Sequence, residues 1–227
     1  MPVTLLGYPV SPFVRKVRVA LETKGIPYKL DPVVPYTERE KVLRHNPSGT
    51  VPVLLPGDGA APITESAEII AWSESITPDP PLIPAAPADR ARALRIQSFA
   101  DSRMAQVFGG MMIGQRIIVP FYFGKPRGKE EVVAKAMTTD APPLLDEIAG
   151  LLGEAEFAAG SFSIADIAMA SWLRGAQITG FRIDPAIWPS LTAWLARCYA
   201  QPGFASVIAD EETTDPVIWA RARYGQV

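Results

Sequence analysis

The stretch Ser11–Gly25, SPFVRKVRVALETKG, decides the fold because it carries both the start and the stop signals of a helix. Ser11 is a favoured N-cap, Pro12 suits the first helical position, and Gly25 is a typical C-terminal stop. The residues before it, VTLLGYPV, are typical of a short apolar strand. Ser11 is therefore predicted at a sharp strand-to-helix turn, where it could cap the helix, contact a substrate, or do both.

The predicted helix from Pro12 to Lys24 is amphipathic, with a periodicity that separates apolar from charged side chains. Its apolar face contains Phe13, Val14, Val17, Ala20 and Leu21. Its predicted polar side contains Arg15, Lys16, Arg18 and Glu22.

The next 50 residues continue to alternate between strand and helix signals. An extended piece, YKLDPVV, precedes a short helix that we expect to open with the capping box Thr37-x-x-Glu40. The strand VPVLL begins at Val51, and a further helix is expected from about Glu65 with Thr64 as its cap. This order predicts a small α/β domain around one mixed sheet.

The rest of the chain carries helix signals without convincing strand alternation. Helices are expected from Asp89, from about Lys129 and after Ser163, where Ser163 and Asp166 form a capping box. The proline-rich segment DPPLIPAAPA is typical of a stiff linker. We therefore predict an α/β domain over residues 1–78, a linker over 79–88 and an all-helical domain over 89–227.

Composition excludes several classes of site in this chain of 227 residues, of which 48% are hydrophobic. A single cysteine, Cys198, excludes an intramolecular disulfide, and a single histidine, His45, argues against a structural zinc site or a serine hydrolase triad. The net charge of -2 does not indicate a broad basic surface that would bind nucleic acid or an anionic membrane. A small molecule or a protein is the expected partner.

No targeting or membrane-spanning segment is expected, so the sequence predicts a cytoplasmic protein. The start, MPVTLLGYPVSPF, has no basic region followed by a long apolar core. The most apolar stretch, VFGGMMIGQRIIVPFYF from Val107, is interrupted by Gln115, Arg116, glycines and a proline. It is a candidate pocket wall.

Three segments of the first domain, SPFVRKV, NPSGTVPVL and TESAEII, together resemble the glutathione transferase family. The linker and the segment FAAGSFSIADIAMASWL are similar to that family as well, so the resemblance covers nearly the whole chain. It implies a thioredoxin-like N-terminal domain, an all-helical C-terminal domain, glutathione as co-substrate without a metal, and a homodimer.

The resemblance implies that the sulfur of glutathione lies beside Ser11. A hydroxyl can accept from a backbone N–H and still donate to a sulfur, so capping and thiol contact are compatible. A donor at the positive end of a helix favours the thiolate of a group whose pKa is otherwise about 8.5. Tyr8 is the rival donor, because some transferases use a tyrosine near the end of this strand.

The same resemblance assigns the other glutathione contacts. It implies a cis bond between Val51 and Pro52, with the backbone of Val51 pairing with the extended peptide. Ser66 would donate to the γ-glutamyl carboxylate and Glu65 would accept from the α-amino group. One member of a basic group before NPSGTVPVL could hold the glycine carboxylate, and His45 is the member nearest that loop. The group consists of Arg39, Lys41, Arg44 and His45.

The acceptor site is expected on the helical domain, with Phe13 contributing from the first domain. Phe108, Met112 and Arg116 are candidates for its wall. Methionines and aromatics at such spacing are also typical of an ordinary core.

The function predicted from the resemblance is activation of the glutathione thiolate for attack on an apolar electrophile. A glutathione-dependent isomerase, reductase or dehalogenase would use the same thiolate. A binding or scaffold protein without catalysis would keep the same fold, because fold does not fix function.

Overall fold

The N-terminal part of the protein is a small α/β unit. The computed structural model describes residues 3–126 and 128–225. Three strands, β1 (Val3–Leu6), β2 (Tyr28–Asp31) and β3 (Val53–Leu55), form a sheet in the order β2-β1-β3. The β1–β2 pair is parallel and the β1–β3 pair is antiparallel, which confirms the predicted mixed sheet.

Three helices accompany the sheet: α1 (Pro12–Thr23), α2 (Arg39–Leu43) and α3 (Ser66–Ile76). Leu54 and Ile63 exchange backbone hydrogen bonds of 2.8 and 2.9 Å in an isolated bridge at the edge of the sheet. The turn before α3 is thereby held against the sheet.

The remainder of the described chain is helical, as predicted. A helix α4 (Pro87–Phe99) continues into a segment with π-type turns, Ala100–Tyr122. A second α/π pair, α5 (Glu130–Lys135) and Ala136–Asp140, leads into α6. The last five helices are α6 (Ala141–Leu152), α7 (Ile164–Ile178), α8 (Pro189–Tyr199), α9 (Pro202–Glu211) and α10 (Asp215–Tyr224). Together the two parts confirm the α/β thioredoxin-like plus all-α fold class.

The prediction that α1 has a polar side facing solvent is wrong. Arg15, Lys16 and Arg18 are 0%, 1% and 4% exposed, because α7 and α9 pack over that side of α1. Each charge has a carboxylate partner in the helical part: Glu211 for Arg15, Asp101 for Lys16 and Asp210 for Arg18. These partners come from sequence positions far away, so periodicity within α1 could not reveal them.

Two of the four predicted caps form. The Ser11 hydroxyl accepts from the Val14 N–H, and Ser163 with Asp166 makes the full capping box of α7. Thr37 and Thr64 do not cap, because α2 begins at Arg39 and α3 at Ser66, each with a glutamate before it and no side-chain cap. The glutamate before α2, Glu38, instead accepts from the Val34 N–H at 2.9 Å.

No helix within residues 3–126 and 128–225 is long and apolar enough to cross a membrane.

Candidate active site

A cleft of about 490 Å³ opens beside the N-terminus of α1. Its walls come from four segments of the α/β part: the β1–α1 turn, the loop before and the start of α2, the loop before β3, and the start of α3. It is lined by Tyr8, Ser11, Phe13, Pro35, Tyr36, Arg39, Ser48, Gly49, Thr50, Val51, Pro52, Thr64, Glu65 and Ser66. Seven predicted site residues are thus brought together: Tyr8, Ser11, Phe13, Val51, Pro52, Glu65 and Ser66.

Ser11 is held by its backbone and by its side chain. Its N–H donates to the Tyr8 carbonyl at 3.1 Å, which closes the turn between β1 and α1. Its hydroxyl accepts from the Val14 N–H at 3.4 Å, and the residue is only 3% exposed. Because a serine hydroxyl has one proton and two acceptor lone pairs, the cap leaves the proton and one lone pair for other partners.

Tyr8 lies under the cleft with 7% of its surface exposed. Its hydroxyl is 3.4 Å from that of Tyr36, and its ring packs edge-on against Tyr36 and Tyr122. Burial raises the pKa of the Tyr8 phenol well above 10.0, and the neighbouring tyrosines add to this. The phenol therefore stays protonated at neutral pH, as a donor and not as a base.

The loop before β3 contributes backbone and a tight turn. The Val51–Pro52 bond is cis, as the resemblance implied. Gly49 has φ +70°, and a Cβ there would lie 3.0 Å from the Cζ of Arg39. Glycine is therefore favoured at position 49, because it readily adopts a left-handed backbone and leaves room for the Arg39 guanidinium.

The start of α3 supplies a helix N-terminus to the cleft. Glu65 is the N-cap residue and is exposed, whereas Ser66 is the first helical residue and is 6% exposed. Neither side chain caps the helix, so the first backbone N–H groups of α3 are left for another acceptor. Such a helix start is suited to hold a carboxylate.

The structure places His45 outside the set of residues that line the cleft. His45 follows the end of α2, whereas Arg39 is the first residue of that helix and lies in the cleft wall. Both belong to the same basic group in sequence, and the sequence did not show which member of the group lines the cleft. Tyr36 was also missed, because a tyrosine in an irregular loop gives no periodic signal.

The predicted acceptor residues separate into three locations. Phe13 lies in the cleft wall and packs edge-on against Trp172 of α7, with ring centroids 5.1 Å apart. Phe108 and Met112 are 0% exposed and belong to the hydrophobic core, so the prediction that they line a substrate site is not met. Arg116 also lies away from the cleft, where it pairs with Glu130 at 2.8 Å, donates to the Thr179 carbonyl and stacks on Tyr224.

Within the described residues, no group of three or more histidine, cysteine, aspartate or glutamate side chains could hold a metal ion. Cys198 is buried, and burial raises the pKa of its thiol far above the usual range. A buried thiol of this kind is not a nucleophile.

The fold and the cleft define a two-domain protein with a peptide-sized site in its thioredoxin-like part. Two family models match the chain: "Glutathione S-transferase, N-terminal domain" over residues 5–81 and "Glutathione S-transferase, C-terminal domain" over residues 111–202. The protein belongs to the glutathione S-transferase family.

Individual relatives agree with this assignment. The chain is 29% identical over 220 residues to glutathione S-transferase U11 of Arabidopsis thaliana, covering 92% of this chain and 88% of that one. A glutathione S-transferase structure from Rhodospirillum rubrum F11 superposes with a TM-score of 0.84 at 25% identity, covering 94% of each chain. A glutathione S-transferase from Methylobacterium radiotolerans, in complex with glutathione sulfonate, gives 0.74 at 30% identity, covering 92% of this chain and 95% of that one.

Proposed function

We propose that this protein is an active glutathione transferase, in which the Ser11 hydroxyl stabilises the thiolate of bound glutathione. The observation that carries the proposal is the position of Ser11, at the N-terminus of α1 and in the cleft wall, with its hydroxyl proton not used by the cap. A donor and the positive end of a helix both favour an anion over the neutral thiol. The nucleophile is then present at neutral pH.

The remaining cleft residues are assigned to the peptide. The backbone of Val51 would pair with the cysteinyl residue, as in addition of a strand to a sheet edge. Ser66 and the helix start behind it would receive the γ-glutamyl carboxylate, and Glu65 would accept from the α-amino group. Arg39, which packs onto Gly49, replaces His45 as the proposed partner of the glycine carboxylate.

The acceptor is proposed to be an apolar electrophile that enters beside Phe13 and Tyr36. Both rings lie in the cleft wall, and each contacts an aromatic ring of the helical domain, Trp172 and Phe123 respectively. The two substrates would thus be held together between the domains, where proximity replaces a bimolecular encounter. The described lining of the cleft comes from the α/β part, so the contacts with Trp172 and Phe123 are what link this side of the cleft to the helical domain.

Turnover and glutathione affinity of wild type and Ser11→Ala test this function. We expect Ser11→Ala to lower kcat by about 10²-fold or more with a generic electrophile, and to change the glutathione Kd by less than about threefold. An unchanged kcat would remove Ser11 from the mechanism. A folded wild type that fails to bind glutathione would favour a scaffold role, and product analysis would distinguish conjugation from isomerisation, reduction or dehalogenation.

Family membership also supports a cytoplasmic homodimer. The chain mass is 24.5 kDa, so sedimentation equilibrium would give twice that value for the dimer. A concentration-independent mass of 24.5 kDa would contradict this part of the proposal.

A further inference from the structure

The ring of Phe13 lies in the cleft wall and is held by side chains that do not line the cleft. The Trp172 ring of α7 meets it edge-on, with an interplanar angle of 87° and ring centroids 5.1 Å apart. The Lys16 ammonium lies 5.4 Å from the centroid of the Phe13 ring and pairs with Asp101 of the Ala100–Tyr122 segment. Phe13 is thus fixed on two sides, and both supports are anchored in the helical domain.

The Trp172 indole packs directly on a glycine backbone. Trp172 is 4% exposed, and a Cβ on Gly109 would lie 2.7 Å from its Cζ3 and 3.2 Å from its Cη2. Carbon atoms in favourable contact are about 3.5 to 4.0 Å apart, so a side chain at position 109 would displace the indole. The neighbouring Gly110 differs, because a Cβ there would meet no atom within 4 Å beyond its own helix turn in the part of the chain that the structure describes.

Helix α7 contacts the first turn of α1 at a second point. A Cβ on Gly175 would lie 2.5 Å from Ile113 Cδ1 and 3.3 Å from Pro12 Cγ. Residues three apart lie on the same side of a helix, so Trp172 and Gly175 form one face of α7 against the start of α1. A buried ring in such a close-packed layer cannot move without disturbing its neighbours.

We propose that Trp172 is a positioning residue for the acceptor: packed on Gly109, it fixes the orientation of the Phe13 ring and so favours acceptors that carry an aromatic ring. The inference rests on the proposed function for the place of the acceptor beside Phe13. An aromatic acceptor gains from a wall ring held at a fixed angle, because aromatic pairs depend on their mutual geometry. An alkyl chain has several staggered conformations with which it adapts to the wall.

The test compares the binding of glutathione, S-benzylglutathione and S-butylglutathione by isothermal titration. The two thioethers are the same peptide with either a ring or an alkyl chain on the sulfur. The ratio of their Kd values therefore measures the preference for a ring and requires no turnover. Wild type is expected to bind S-benzylglutathione more tightly than S-butylglutathione.

Gly109→Ala places a methyl group against the indole. It is expected to raise the Kd of S-benzylglutathione by about 2- to 10-fold, the contribution of one aromatic pair. The Kd values of S-butylglutathione and glutathione should change by less than about twofold. Gly110→Ala is the matched control, since it is the same helix-favouring change one residue further on, and it should leave all three Kd values unchanged.

Trp172→Phe is a second variant that keeps the proposal testable if Gly109→Ala does not fold. It shortens the ring that meets Phe13 and is expected to weaken S-benzylglutathione binding selectively, as Gly109→Ala does. In a Phe13→Leu background neither change should alter the ratio of the two Kd values, because Trp172 acts only through Phe13.

The outcomes separate this inference from the proposed function. The same Kd ratio in wild type, Gly109→Ala and Trp172→Phe would overturn the inference and leave the proposed function in place. Equal weakening of all three ligands would also overturn it, because the effect would then be a general disturbance of the cleft. A protein with the predicted ring preference but without turnover would contradict the proposed catalysis and leave Trp172 in its role. A folded wild type that binds no glutathione would overturn both.

Discussion

The Arg15 Nε lies 2.6 Å from a carboxylate oxygen of Glu211, and neither side chain has any exposed surface. Arg15 belongs to α1, the helix that Ser11 caps, and Glu211 is the last residue of α9. Arg15 also donates to the Ser171 carbonyl in α7 at 2.7 Å. Helix α1, which positions the Ser11 hydroxyl, is thus fixed to the helical domain by the fully buried guanidinium of Arg15.

Arg15→Leu is expected to destabilise the fold by about 3 to 5 kcal/mol, because it leaves the buried Glu211 carboxylate without its nearest cation. Urea unfolding measures the change. Arg103→Leu is the control, since Arg103 pairs with Glu147 on the surface, with side chains 57% and 37% exposed. That change should cost less than about 1 kcal/mol. Equal losses in the two variants would contradict the role given to the buried pair.

Asp166→Ala is expected to cost about 3 kcal/mol or more, because several buried donors would lose their acceptor at once. The carboxylate accepts from the Ala158 N–H, from the N–H and hydroxyl of Ser163 and from the Trp194 indole.

Ser163→Ala removes one cap and should cost about 0.5 to 2 kcal/mol. Thr37→Ala is the control, since Thr37 is exposed and caps no helix. Midpoints of urea unfolding rank the three variants, and a loss for Asp166→Ala no larger than that for Thr37→Ala would contradict the network.

Local signals predicted local structure in part, since the caps at Ser11 and Ser163 form and those expected at Thr37 and Thr64 do not. The caps at Ser11 and Ser163 were predictable because a cap depends on residues within one turn. The burial of Arg15, Lys16 and Arg18 was not, because their partners are 85 to 196 positions away in sequence. Periodicity assigns a charged side of a helix to solvent unless a second domain covers it.

The candidate site could also be predicted only in part. The family motifs identified Ser11, Val51, Pro52, Glu65 and Ser66, all of which line the cleft. Arg39 and Tyr36 could not be selected, because their places depend on how the loop before α2 folds against Gly49 and Tyr8. Phe108 and Met112 were assigned by residue type alone, and residue type does not distinguish a side chain of the hydrophobic core from one that lines a substrate pocket.

Arg39→Ala is expected to raise the glutathione Kd by about 5- to 30-fold, since a hydrogen bond to a charged group contributes roughly 1.5 to 3 kcal/mol and Arg39 is partly screened by solvent. His45→Ala should leave the Kd within twofold, about the limit of its measurement. Isothermal titration compares the two variants directly. A larger loss for His45→Ala would restore the assignment made from sequence and remove Arg39.

Tyr8 is expected to remain a neutral phenol throughout the pH range of activity. Its folded pKa lies well above the usual 10.0, mainly because of burial. Tyrosinate absorbance in wild type minus Tyr8→Phe should therefore show no ionisation below pH 10. Since the folded state holds this proton more tightly than the unfolded state, Tyr8 makes stability fall as pH rises above 10. A Tyr8 signal near pH 8 would contradict the buried, hydrogen-bonded phenol.

The role of Ser11 is tested most directly by a pH titration of thiolate absorbance for glutathione bound to wild type and to Ser11→Ala. We expect a thiol pKa clearly below the free value of about 8.5 in wild type, and a return toward that value in the variant. Such a result would establish Ser11 as the donor to the thiolate. An equally lowered pKa in both proteins would exclude Ser11 as that donor.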